Sequence, residues 1–254
     1  MTVFGRWCKP AKVTAVGSHV ISLLVSFDDG VGIESLAARL PSCYATSDAL
    51  SLVARSLGKE GVAEFLQGKF PRSLPARSGD MGEILATVYL AEDCGYVVGP
   101  SRLIQRDHQE WAMRGDDVLG AAFGADERVL LAKGEAKSRA RASARVVTEA
   151  REGLARNDEL PSPHSLLQFA ERLLATSDAE LGEAVLKLML DEGIRPDGVT
   201  HLMFLFVGND PTSHVVADLD GYTGEVAQTA VILRAQAHQE FVCAAFEKAI
   251  TDGA

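Results

Sequence analysis

The chain has 254 residues, 47% of them hydrophobic and 24% charged, with a formal net charge of −10, which suits one large or two small globular domains and excludes a protein that coats nucleic acid or anionic membrane over its whole surface. Any nucleic-acid contact must therefore come from a local basic patch. Cys8, Cys43, Cys94 and Cys243 form no C-x-x-C pair, so neither a disulfide framework nor a thiolate zinc site is expected; with no signal-like N-terminus and no apolar run of roughly 18 residues, the expectation is a soluble cytoplasmic protein with no membrane contact.

In chain order, "HVISLLVSFDDGVGIESLAARL" begins as a β-rich apolar run, breaks at Asp28-Asp29-Gly30 and continues at helical spacing. "SDALSLVARSL" and "KEGVAEFLQGKF" read as two short helices divided by Gly58. Pro71, Ser73, Pro75 and Ser78 mark a loop. A boundary there separates an N-terminal region, 1–70, with a regulatory or partner-binding role, from a larger region, 71–254. "SGDMGEILATVYLAEDCG" is the clearest helix, with Asp80 as N-cap, Glu83 as its capping-box partner, and an apolar stripe of Ile84, Leu85, Val88 and Tyr89. Gly95 stops it. Runs at Val118–Phe123 and Arg128–Ala132 flank Gly124-Ala125-Asp126-Glu127 and read as a hairpin. A helical pattern covers Ser138–Ala155 and "RNDELPSPHS" breaks it. Two helices follow near 164–175 and 178–192. "VTHLMFLFVGND" is an apolar strand suited to the middle of a sheet, and a last helix is expected from about Glu225 to Ile250. The order implies an α/β (α+β) fold, a mixed central sheet flanked by helices.

The chemistry concentrates in "RGDDVLGAAFGADERVLLAKGEAKSRA". On a strand, Glu135 and Lys137 face the same side, about 7 Å apart at ~3.3 Å per residue. Folding the hairpin brings Asp116 or, with the register moved by one, Asp117 opposite Glu135. Cross-strand Cβ atoms then lie about 4.5–5.5 Å apart. Two carboxylates at that distance need a cation between them, and oxygen ligands with retained waters suit Mg²⁺, with Mn²⁺ as a substitute. Lys137 beside them can orient a water and stabilise charge developing on a phosphate. An E-x-K tripeptide alone is weak, because such residues also decorate solvated strand ends. Glu83 has two readings, a capping residue or a further carboxylate approaching the metal.

Residues 128–156 hold eight Lys or Arg against three Glu. Arg139, Arg141 and Arg145 are thus candidates for phosphate contacts, with a solvated helix face as the alternative. There is no P-loop, Rossmann fingerprint, nucleophile elbow or H-x-x-x-H spacing. His108 reads as a surface histidine, Trp111 and Met113 as packing residues.

The order helix–Glu83, Asp117, Glu135-x-Lys137, helix resembles the PD-(D/E)xK nuclease superfamily, with its restriction-endonuclease-like core. More narrowly, "SGDMGEILA", "RGDDVLG" and "LLAKGEAKSRA" resemble the HamA-type effectors of Hachiman anti-phage systems over roughly residues 70–210. The resemblance implies a Mg²⁺-dependent DNA endonuclease of low sequence specificity, controlled by a superfamily 2-type (HamB-like) helicase partner. It implies Asp117 and Glu135 as metal ligands, favouring Asp117 over Asp116, with Lys137 assisting the attacking water and Glu83 supporting the site. Two rival readings stand beside it: a non-catalytic nuclease-fold subunit that binds a helicase or DNA, and a nucleotide hydrolase. "LGEAVLKLML" can dock a partner or pack in the core.

Overall fold

β5 (Val199–Val207) is buried on both faces except at Thr200 and lies in the middle of a six-stranded sheet of order β1-β2-β6-β5-β4-β3. A computed structural model describes residues 2–111 and 114–253. β5 pairs in parallel with β4 (Val129–Arg139) on one side and β6 (Ala227–Arg234) on the other, and β6 pairs in parallel with β2 (His19–Ser26). The edges are antiparallel: β1 (Cys8–Val16) on β2, and β3 (Val118–Phe123) on β4. The expected mixed sheet flanked by helices is therefore present.

Alternation along β5 sets two core layers. Leu202, Phe204 and Phe206 join Trp7, Leu85, Phe241 and Phe246 under α4 (Leu74–Glu92) and α9 (His238–Gly253). Met203, Leu205 and Val207 face Val147, Ala150 and Leu154 of α5 (Ala144–Ala155), with Val215 and Leu219 of α8 (Thr212–Asp220). A third cluster packs Leu119 and Leu131 against Phe169 and Leu173 of α6 (Pro163–Leu174) and Leu181 and Val185 of α7 (Ala179–Lys187). Each fully buried Leu or Phe contributes roughly 1.5–3 kcal/mol. The segment before Phe70 supplies β1 and β2, then α1 (Asp29–Ala37), α2 (Leu40–Tyr44) and α3 (Ser47–Lys69), whose Gly58 has φ 68° and kinks the helix where the sequence divides it.

Several expectations need correction. The final helix starts at His238; residues 227–234 are strand β6. A strand buried on both faces has no polar alternation to distinguish it from helix. The α4 N-terminus lies upstream of Asp80: Ser73 Oγ accepts the Ala76 N–H and Pro75 sits in the first turn. Pro75, grouped with the loop, is a helix-start residue, while Pro71 remains in the loop. β4 continues to Arg139, so Ser138 is strand and α5 begins only at Ala144. Trp111 is 70% exposed and stacks on the exposed His108 at 4.0 Å between centroids, rather than packing inside. Met113 lies outside the described residues. In "LGEAVLKLML", Leu181 and Val185 are core while Leu190 is 81% exposed.

Candidate functional site

The β3–β4 ladder ends at Val118–Gly134, and from there to Arg139 β4 keeps β5 on one side while its β3 side is open. The five-residue turn between Phe123 and Val129 sets this register, so Asp117 is the next residue facing Glu135. Asp117 Oδ2 accepts the Ala136 N–H at 3.1 Å, taking the place of a strand neighbour at the open edge. Of the two registers open in the sequence, the structure adopts the one that places Asp117 there.

Asp116 goes elsewhere. It is buried, accepts the Ser162 N–H at 2.8 Å at the start of α6, and lies 3.8 Å from Lys133 Nζ. Lys133 itself is 1% exposed and donates to the carbonyls of Leu154, Arg156 and Leu160 at 2.6–2.9 Å. Its ammonium sits where a helix C-terminus favours a cation. It also ties down a turn in which Asn157, Asp158 and Glu159 all have positive φ.

Glu135 points to the α5 side of the sheet. Lys137 Nζ donates to its Oε1 at 2.5 Å and Arg156 lies 3.3 Å from Oε2. Burial, followed by the Asp117 charge, raises the Glu135 carboxyl above its ordinary pKa, while Lys137 and Arg156 pull against that. Gly153 of α5 covers it; a β-carbon there would overlap the carboxylate.

Glu83 does not cap a helix. It lies in the interior of α4, and Arg102 holds it through Nε at 3.0 Å and Nη2 at 2.8 Å, the same Nη2 lying 3.3 Å from Asp117 Oδ1. Burial pushes Glu83 up to about 8, with Arg102 opposing and Asp117 adding to the rise. These carboxylates carry more negative charge than their surroundings neutralise without Arg102. Asp80, one turn earlier, is taken up by Arg106 and Tyr44.

Among the described residues no three carboxylate, imidazole or thiol side chains converge on one ion position. Mg²⁺ requires fewer, since it binds through one or two carboxylates and keeps its waters. Asp117 and Glu135 are of the right chemistry, and the Asp117 charge, which adds to burial in raising Glu135, is what a divalent cation would offset. They fit a two-carboxylate site.

Arg139, Arg141 and Arg145 are exposed beyond Lys137, the last paired with Glu149. Arg151 is occupied by Asp218 and Gln228 and lies over the Tyr222 ring. Arg156, read in the sequence as one of the basic residues following Lys137, instead lies against Glu135; Arg102 and Gly153 were not singled out, and no spacing rule would have found them.

No helix among the described residues is long and apolar enough to cross a membrane. The chain is 35% identical over 162 residues to the Hachiman protein HamA of Bacillus cereus, an alignment covering 61% of this chain and 57% of that protein. The family described as HamA matches residues 4–249, so that nearly the whole sheet and both of its helical layers lie within the match: the chain belongs to the HamA family.

Proposed function

We propose that this chain is the Mg²⁺-dependent DNA endonuclease of a Hachiman anti-phage defence system, hydrolysing phosphodiester bonds with low sequence specificity under the control of a helicase partner. Family membership supports the defence role. The observation that carries the nuclease reading is Asp117 facing Glu135 at the open end of β4, with Lys137 on the same strand face as Glu135.

Asp117 and Glu135 would hold the metal, which when bound supplies Lewis-acid polarisation of a phosphate oxygen and lowers the pKa of water. Lys137, two residues from Glu135 on the stretch of β4 that β3 leaves unpaired, orients the attacking water and offsets charge developing on the phosphate. Arg102 holds Glu83 and Asp117 in place. Arg139, Arg141 and Arg145 continue outward as sequence-independent phosphate contacts.

The test is cleavage of supercoiled plasmid and single-stranded DNA in Mg²⁺ or EDTA, with and without the helicase encoded beside the gene. Glu135→Gln and Lys137→Ala should each lower the rate at least about a hundredfold while remaining folded. Intact DNA in every wild-type reaction, with helicase binding retained, would favour the non-catalytic subunit.

A further inference from the structure

α4, the segment 98–103 and α6 enclose a cavity of about 320 Å³ that opens beside Glu83 and Asp117. Ile84, Val88 and Leu119 make part of its lining apolar, while α6 contributes Gln168 and Arg172. Arg172 is the anomaly. Its Nε is buried with no hydrogen-bond partner among the described residues. Its charged neighbour is a second cation, Arg102, already committed to Glu83 and Asp117. Arg172 is half-buried, and a guanidinium with a buried, unpartnered Nε beside a like charge has hydrogen-bonding capacity that an anion would complete. Burial, then the Arg102 charge, hold the pKa of Arg172 below its ordinary value, and no carboxylate opposes them.

We propose that this cavity receives one nucleotide unit of a nucleic-acid strand, its phosphate on Arg172 and its base against Val88 and Leu119. The inference rests on the nuclease reading and adds the form of the substrate. Three features favour a nucleotide over a simple anion. The cavity combines an apolar wall with a cation, as nucleotide recognition requires. Its volume falls in the range of small-ligand sites, about 300–1,000 Å³. It adjoins Asp117, so the next phosphate of the same strand reaches the carboxylates. A base can enter only after leaving the duplex stack, which costs least at single strands, gaps and frayed ends. Unpaired strands are therefore the preferred substrate.

The experiment is fluorescence anisotropy on the full chain in EDTA, where no cleavage occurs. Probes are a short fluorescein-labelled oligothymidylate and a blunt duplex of the same length. Arg172→Leu should weaken oligothymidylate binding about tenfold or more, the scale of a charge-assisted hydrogen bond. Val88→Trp, which fills the apolar side, should do the same, and duplex binding should change little in either. The melting temperature of Arg172→Leu should stay level or rise, because Arg172 is half-buried and its buried Nε makes no hydrogen bond to lose. Unchanged oligothymidylate binding in both variants overturns the proposal, as does an equal loss on blunt duplex. Competition by thymidine 5′-monophosphate as effective as by the oligomer would mark a free-nucleotide site and overturn the strand assignment. Failure of the nuclease reading is seen separately, as absent Mg²⁺-dependent cleavage or as cleavage that persists in Glu135→Gln, and it leaves the binding measurements readable.

Discussion

The carboxylate of Glu135 occupies the space that a β-carbon on Gly153 would need. α5 can lie on β4 at this point only because residue 153 has no side chain. Gly153→Ala should gain helix propensity, about 0.8–1 kcal/mol, and lose a comparable or larger amount to overpacking, about 1–3 kcal/mol. The protein should therefore fold with a modest change in melting temperature. The displaced Glu135 would lose its alignment with Lys137, and DNA cleavage should fall at least about tenfold. Wild-type cleavage in a folded Gly153→Ala protein would mean that the position of Glu135 does not matter to the reaction.

Asp116 and Asp117 are adjacent in sequence and do different things. Asp116 is tied to Ser162 and Lys133, and Asp117 to Ala136 and Arg102. Asp116→Ala leaves the fully buried Lys133 without its carboxylate, a loss on the order of 3–5 kcal/mol, whereas Asp117→Asn should cost much less. Divalent-ion affinity should move the other way, abolished in Asp117→Asn and retained in folded Asp116→Asn. Titration with Mn²⁺ by calorimetry, beside urea unfolding, separates the two roles. Loss of Mn²⁺ binding in Asp116→Asn would assign the metal to the wrong aspartate here.

Arg102 is the cation that Glu83 and Asp117 now share. Removing it leaves a buried carboxylate, already pushed up to about 8, with less to stabilise its charge. Arg102→Ala should thus be destabilised in EDTA. A divalent ion that binds only the folded state raises stability in proportion to its occupancy. The rise in melting temperature on adding Mn²⁺ should be larger in Arg102→Ala than in wild type. A smaller rise would show that Arg102 organises the ligands rather than substituting for the ion.

What the sequence revealed, and what it concealed, follows from the range of the interactions. Glu135 and Lys137 share a face because of strand periodicity, a local property, and the pair was legible from their spacing. The partner aspartate was legible to within one residue; the turn length that decides it depends on Glu127 taking φ 62° and the turn running from Gly124 to Arg128. Glu83 carried two readings while the helix start was placed at Asp80. With Ser73 as the cap, one of those readings disappears. Arg102 and Gly153 arrive from a loop and from the opposite layer, through tertiary packing that leaves no periodic trace. β6 was hidden for a related reason, since double burial erases the alternation that marks a strand.

His201 is fully buried on β5 and its two nitrogens are fixed by their neighbours. Arg151 donates to Gln228 Oε1 at 2.7 Å, which turns the Gln228 amide so that its Nε2 donates to His201 Nδ1 at 2.9 Å. His201 Nε2 then donates to the Glu159 carbonyl at 2.6 Å. The imidazole is held neutral, because a proton on Nδ1 would meet an amide donor. Burial accordingly lowers its pKa from 6.5 to about 4. Below pH 6.5 the unfolded chain binds a proton that the folded chain refuses, so this residue contributes stability that is complete above that value and is lost as pH falls toward about 4. His238, also lowered to about 4 by burial, acts in the same direction. Unfolding free energy measured in urea between pH 7 and pH 4 should fall more steeply in wild type than in His201→Gln, although the variant starts lower because it breaks the Arg151–Gln228 chain. Comparing slopes cancels the carboxylates common to both proteins. Parallel slopes would mean that His201 is protonated as readily in the fold as outside it, and that the hydrogen-bond chain does not fix its tautomer.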